Sequence, residues 1–454
     1  MSAKIAVEDL RVGMFVHLDL GWWAHPFALS SFKLASSDQI TTLRALGLTE
    51  VRWSPEKSTL DSPQTDCNAD LSTDAGVADP GTDPSPPDTN TDLRAADDDA
   101  GTTAEAAATQ RRDAGRAERR RAQLMAQREA SRLCARQYGE AAKSLKFATD
   151  TVFSQPVAAR QAAEGLTRAL LDKMLVDGEL CIRVLSEARA DRATAHALNV
   201  AVISMLMGRV FGFDDTEMLD VGVGALLHDV GKLELPERVR HAELHASQAE
   251  HAQYREHVMR GVAIGRRMGL SPGALLVIGQ HHEMADRSGF PNRLGIDRMS
   301  AAARIVALVN RYDNLCDPAL PAHALTPHEA LSLIFAQTRS KFDASMLNAF
   351  IRMMGVYPPG SVVQLTDDRF AVVTNVNSTR PLKPRVLVFD PQVPADEALC
   401  LNLELHADLG IRRSLRPQQL PDDALQYLSP QQRLIYFFEP AVQPHSQLSQ
   451  HIAA

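Results

Sequence analysis

Residues 281–291, HHEMADRSGFP, set two adjacent histidines, a Glu and an Asp ahead of a Gly-Phe-Pro turn. Upstream, His228 and Asp229 end an apolar run, MLDVGVGALLHDVGKL, just before Val230, Gly231 and Lys232. His257, and then Asn310 with Asp313 one helical turn later, add further donors. An ionised Asp in an apolar setting needs a partner, and a divalent cation is the strongest available. Imidazole and carboxylate without thiolate suit Fe, Mn or Zn rather than Ca or Mg. So many donors exceed the needs of one ion. Two ions roughly 3.5–4 Å apart would use them all, with Asp229 as the bridging carboxylate. Such a pair activates water, holds phosphate oxygens and neutralises charge in an in-line displacement, which is metal-assisted phosphodiester hydrolysis. Lys232 then stands where an ammonium meets a phosphate oxygen, its plainer reading being a loop lysine. His196 reads first as a hydrogen-bonded core histidine, with a ligand role as the alternative. His241, His245 and His251 fall in a polar stretch and read as solvent-facing.

These residues need helices to carry them. His196, Val200, Ile203, Met207 and Val210 fall at i, i+4, i+7, i+11 and i+14, one helical stripe. The segments HVMRGVAIGRRMGL, LLVIGQHHE and AAARIVALVNRYDNL repeat the pattern, so residues 151–355 are expected to form an all-helical core. Residues 1–58 read as a small β-rich unit around the apolar runs Met14–Val16 and Val51–Trp53, with SDQITTLRALG as a helix stopped by Gly47. Residues 59–103 are Asp-, Pro-, Ser- and Thr-rich with almost no large apolar side chains, and are expected to be a disordered acidic linker. Residues 104–150 are Arg- and Ala-rich and helix-forming, read as a solvated helix with a phosphate-tracking or partner-binding arm as the alternative. Residues 356–440 turn β-branched and alternating, with Thr366-Asp367-Asp368 as a hairpin turn, and 441–454 form a tail. The fold class is therefore mainly α with a small N-terminal β-rich domain and a short C-terminal β appendage.

Composition narrows the function. The formal net charge of −8 and isoelectric point near 6.0 argue against a nucleic-acid binder as a whole, and no polymeric nucleic acid is expected as a partner. Five scattered cysteines, never in CxxC spacing, fit a reducing compartment. With neither an apolar leader nor a run of eighteen apolar residues, a soluble, cytoplasmic protein without a membrane span is expected.

In order and spacing, LLHDVGKLELPERV, EHVMRGVAIG, HHEMADRSGFPNRL and ARIVALVNRYDNL resemble the HD-GYP family of metal-dependent phosphohydrolases, over roughly 180–355. The opening unit, with LRVGMFVHLD and a Trp-x-x-His-Pro-Phe motif, is similar to a small domain often found ahead of that family. The segment from Tyr357-Pro358 is similar to the region that commonly follows it. The resemblance implies hydrolysis of the bacterial second messenger cyclic di-GMP to pGpG or GMP, in signal transduction, with two divalent ions, Fe or Mn. It implies His196, His228, Asp229, His257, His281, His282 and Asn310 as metal ligands, and Asp229 with Lys232 as the catalytic pair. Lys232, Arg287, Gly289, Phe290 and Pro291 would border the substrate. The loop at 289–291 and the N-terminal unit are the candidate surfaces for protein partners, and a homodimer is an open reading.

The chain departs from the family pattern at four places. Asn310 stands where the last metal-binding Asp is usual, and Arg192 where some members have a glutamate for a third ion. Arg287 replaces a loop glycine and Phe290 the tyrosine of Gly-Tyr-Pro. These changes motivate a second reading, an impaired module that binds nucleotide or protein without turnover. A related phosphohydrolase acting on another nucleotide is the third.

Overall fold

The computed structural model describes residues 3–18, 31–34, 37–45, 48–58, 99–174, 180–185, 190–240, 247–377, 382–431 and 433–440. Residues 59–98 of the expected linker 59–103, the Trp-x-x-His-Pro-Phe motif, Gly47, His241, His245 and the tail 441–454 lie outside them, while residues 99–103 are helical rather than disordered. Two units divide the chain, Met1–Gln123 and Leu124–Ala454.

In the first unit, β1 (Ala3–Ala6), β2 (Phe15–His17), β3 (Ser31–Lys33) and β4 (Glu50–Ser54) form an antiparallel sheet ordered β1-β4-β2-β3. The helix α1 (Ser37–Ala45) contributes Ile40 and Leu43 to its core, which Val16, Leu34 and Val51 complete. The N-terminal unit is thus β-rich, as its apolar runs suggest.

The helix α2 (Asp99–Thr151) carries the boundary between the units. Its arginines from Arg116 to Arg121 are exposed. Further on, Cys134, Tyr138, Ala141, Leu145, Ala148 and Val152 are buried, at steps of four and three that keep them on one stripe. This later part faces the helical core.

That core is built from α3 (Pro156–Met174), α4 (Arg192–Val210), α5 (Asp215–Leu227), α6 (Gln248–Met268), α7 (Pro272–Gln280), α8 (Ala301–Cys316), α9 (Pro327–Gln337) and α10 (Ala344–Met354). Side-chain caps set where these helices start. Asp191 accepts from the Thr194 N–H before α4, and the Asp214–Glu217 and Ser247–Glu250 pairs close reciprocal capping boxes before α5 and α6. By length and composition α4 passes as a membrane span. However, 78% of its apolar window is buried inside the folded body, because it is the central helix.

A second sheet closes the unit. Its strands are β5 (Leu180–Val184), β6 (Val362–Leu365), β7 (Phe370–Asn377), β8 (Arg385–Val388), β9 (Cys400–Asn402), β10 (Ile411–Leu415) and β11 (Tyr436–Pro440), all antiparallel. The path runs β10-β6-β7-β5-β11, with β8 and β9 on the free side of β7. Alternation along β7 sends Ala371 and Val373 into one apolar cluster and Val372 into another, which α11 (Asp422–Leu428) covers with Ala424 and Leu428. The β6–β7 turn is the expected Thr-Asp-Asp hairpin, with Asp368 at φ 69. One strand, β5, comes from the helical stretch of the chain, so the sheet and the helices share a boundary through β11 and α4.

Candidate metal centre

The ends of α5 and α7 and the middle of α6 bring the donors together. His228 and Asp229 follow the last turn of α5, and a short turn, Val230–Glu234, leads away. Any side chain at Gly231 would collide with the His257 carbonyl oxygen and approach Gly261 N to 2.5 Å. Glycine there lets the turn lie directly on α6, and this contact delivers His257 to Asp229.

Asp229 divides its two oxygens between two sets of imidazoles. Oδ2 lies 3.5 Å from His228 Nε2 and 3.8 Å from His196 Nε2. Oδ1 lies 3.5 Å from His257 Nε2 and 3.7 Å from His281 Nε2. Two donor groups result, His196–His228–Asp229 and Asp229–His257–His281–His282, with the atoms of each within 4.8 Å of one another.

Hydrogen bonding fixes which ring nitrogen faces inward. Nδ1 of His228, His257 and His281 donates to the carbonyl oxygens of Ala225, Tyr254 and Ile278 at 2.7, 2.6 and 2.7 Å. A carbonyl can only accept, so in the neutral rings the proton sits on Nδ1 and the Nε2 lone pair points into the site. His196 Nδ1 donates to Asp313 Oδ2 at 2.6 Å, and Asp313 Oδ1 accepts from Asn199 at 2.8 Å. Burial pushes His228 down to about 4 and lowers His257, His281 and His282, which keeps these rings neutral. Yet Nε2 of His196 meets Nε2 of His228 at 3.1 Å, and His257 meets His281 at 3.2 Å. Lone pairs facing at that range call for a cation between them. The buried Asp229 Oδ1 and His282 Nε2 also have no hydrogen-bond partner among the described residues. The donor set fits divalent cations.

Lys232 supplies the local positive charge. Its Nζ lies 2.6 Å from Asp229 Oδ2 and 5.2 Å from the centre of the Tyr254 ring. Burial alone would raise the Asp229 pKa, but the Lys232 ammonium beside it holds it well below the usual carboxylate range.

The loop after α7 is fastened by Glu283, a fully buried carboxylate that accepts from Asn292 N at 2.7 Å and Leu294 N at 2.8 Å. Gly289 packs on the same backbone, since a Cβ there would come within 2.5 Å of His282 O and Met284 N. Phe290 stacks on His282 with centroids 4.5 Å apart, and a cis peptide joins it to Pro291. Arg287, exposed, takes φ 66, which explains why glycine suits that position. Asn310 is buried and lines a cavity of about 330 Å³ with His281, His282, Tyr254 and Phe290. Its Oδ1 accepts from Asn314 Nδ2 at 2.6 Å. Arg192 directs its guanidinium to the Asp317 carbonyl oxygen, at 2.8 and 3.2 Å. His251 is half-buried and outside both donor groups.

Sequence reasoning missed three residues. Asn199, Glu283 and Tyr254 are polar side chains in apolar or helical contexts, and their types and spacing alone assign them no role.

Comparison with known proteins defines the class. Residues 179–346 match the HD domain, and residues 2–163 match a domain of unknown function, DUF3391. The chain therefore carries an HD domain with a DUF3391 domain ahead of it, as the resemblance to the HD-GYP family anticipates; HD phosphohydrolases depend on metal. It is 25% identical over 394 residues to cyclic di-GMP phosphodiesterase PA4108 of Pseudomonas aeruginosa, covering 86% of this chain and 85% of that protein. It is 33% identical over 131 residues to 3'3'-cGAMP-specific phosphodiesterase 2 of Vibrio cholerae, covering 28% of this chain and 25% of that one. Cyclic di-GMP phosphodiesterase response regulator RpfG of Xanthomonas campestris is 27% identical over 169 residues, 37% of this chain and 44% of its own. The chain thus spans less than half the length of the latter two.

Proposed function

We propose that this protein is a metal-dependent phosphodiesterase that opens cyclic di-GMP through a dinuclear centre. The observation that carries the reading is the division of Asp229, one oxygen toward His196 and His228 and the other toward His257 and His281. The names of the similar proteins, cyclic di-GMP and cGAMP phosphodiesterases, support the substrate class. Two divalent ions there, Fe or Mn by the softness of the donors, would lower the pKa of an attacking water and polarise the phosphoryl oxygens.

The chain's own residues do the rest. The carbonyl-bound imidazoles and the Asp313–His196 pair hold the donors rigid, and Lys232 is the nearest ammonium for a non-bridging phosphate oxygen. Phe290, stacked on His282, walls the cavity from the loop side. Water adds to phosphorus as the P–O3′ bond breaks, the O3′ takes a proton, and linear pGpG leaves. Cleavage of its remaining diester would give GMP.

One observation favours the alternative, a module that binds nucleotide or a protein partner without turnover. The Asn310 side chain is neutral and its carbonyl oxygen is engaged by Asn314, so the centre has one carboxylate in its donor groups. The test is turnover of cyclic di-GMP by protein reloaded anaerobically with Fe(II) or Mn(II), with products resolved by chromatography. Hydrolysis that disappears in His228→Ala supports the enzyme. Silence in the metal-loaded protein, with activity emerging in Asn310→Asp, supports the binding module.

A further inference from the structure

A second cavity, of about 920 Å³, shares Phe290 with the one at the histidines. Its walls include Arg255 from α6 and Arg287 and Arg293 from the loop after His282. The two glutamates on the wall are already paired, Glu256 with Arg260 at 2.7 Å and Glu234 with Arg267 at 3.0 Å. Among the described residues no hydrogen bond or ion pair engages the side chains of Arg255, Arg287 or Arg293. Arg255 lies 5.4 Å from the Phe290 ring centre. Arg287 and Arg293 both take left-handed backbone, φ 66 and φ 54, where glycine is favoured and a long side chain is not. Three guanidiniums free of such contacts on one wall repel one another and attract a polyanion.

We propose that this arginine-lined cavity is a subsite for the second phosphate of a cyclic dinucleotide whose first phosphate lies at the histidines. The inference rests on the nucleotide reading above. The cavity at the histidines is at the lower end of the roughly 300–1,000 Å³ range of small-ligand sites, so a ring of two nucleotides has to extend beyond it. Phe290 is the wall common to both spaces, and the larger space holds the positive charge. Guanidinium forks match phosphate oxygens two at a time, and Arg255 against Phe290 offers a flat cationic surface to a purine.

The test uses the full-length, metal-loaded protein and the variants Arg255→Ala, Arg287→Gly, Arg293→Gly and the triple combination. Two substrates are compared, cyclic di-GMP with two phosphates and bis(p-nitrophenyl) phosphate with one. Each single change is expected to raise KM for cyclic di-GMP by about tenfold, the scale of one lost charged hydrogen bond. In the triple variant the ratio of kcat/KM for cyclic di-GMP to that for bis(p-nitrophenyl) phosphate is expected to fall further than in any single variant. Melting temperatures of the two glycine variants should not drop, because both positions favour glycine, so a lost fold cannot mimic the result. An unchanged ratio in the triple variant overturns the proposal and leaves the cavity to another anion, such as the acidic face of a protein. If the wild-type protein hydrolyses neither substrate, calorimetry with cyclic di-GMP decides. Binding that weakens about tenfold or more in the triple variant keeps the subsite while the catalytic reading fails, whereas equal binding, or none by the wild-type protein, overturns it.

Discussion

Asp229 brings one negative charge to a site ringed by imidazoles and the Lys232 ammonium, and the arrangement only balances if those imidazoles stay neutral. Each inward Nε2 depends on what its Nδ1 touches, so Asp313 orients His196 as surely as a ligand would. Asp313→Asn keeps the shape and removes the charge; metal affinity is expected to drop by about 10–100-fold, read by titration with Mn(II). Equal affinity would show that the contact is only packing. The neutral rings also set a pH dependence in chelated protein. His228 falls from 6.5 to about 4 on burial, and His257, His281 and His282 move the same way. As pH drops below about 6.5 the unfolded chain binds protons that the folded one refuses, so stability is full above that pH and is lost toward pH 4. Urea midpoints at pH 7.5 and 5 check it, the lower pH giving the lower midpoint. At this scale the sequence was informative where donors stand side by side, as in His228-Asp229 and His281-His282. Glu283 and Tyr254 were silent, because their partners are backbone N–H groups and an ammonium that only the folded loop and α6 bring near.

Among elements, the decisive contact is between the end of α5 and α6. The motif His-Asp-Val-Gly-Lys works because its glycine admits the α6 backbone, and Gly231→Ala is expected to separate Asp229 from His257 and lower bound metal without unfolding α4 or α8. Metal analysis beside circular dichroism would reveal it, and full metal content would contradict it. The C-terminal sheet supports the site as well. Asn199 on α4 donates to Asp313 Oδ1 and to Leu434 O, and accepts from Tyr436 N, each at 2.8 Å. Asn199→Ala orphans a buried N–H and a buried carbonyl and is expected to destabilise the protein by roughly 3 kcal/mol in urea unfolding; a change under about 0.5 kcal/mol would exclude the role. Helical periodicity made α4 to α8 legible in advance. It gave no hint that β5 leaves the helical stretch to pair with β7 and β11, since a five-residue apolar run carries no period of its own.

For the whole molecule, the histidine centre ties α4, α5, α6 and α7 into one body, so metal binding and folding of residues beyond Leu124 should be coupled. Ions that bind only the folded form add about 2.7 kcal/mol at a hundredfold excess over Kd. Mn(II) is therefore expected to raise the melting temperature of chelated wild-type protein and to leave His228→Ala nearly unmoved, a difference that calorimetry reads directly. The overall composition told little here: net charge and cysteine count removed alternatives, while ordered motifs identified the HD domain. Whether Asp229 joins two ions can be asked without any substrate, by electron paramagnetic resonance of Mn(II)-loaded protein with the metal counted on the same sample. Two ions per chain with a spin-coupled multiline spectrum, replaced in Asp229→Ala by the six-line signal of isolated Mn(II), is the expected result. Uncoupled six-line Mn(II) in the wild-type protein, at one ion per chain or two, would contradict a carboxylate-bridged pair.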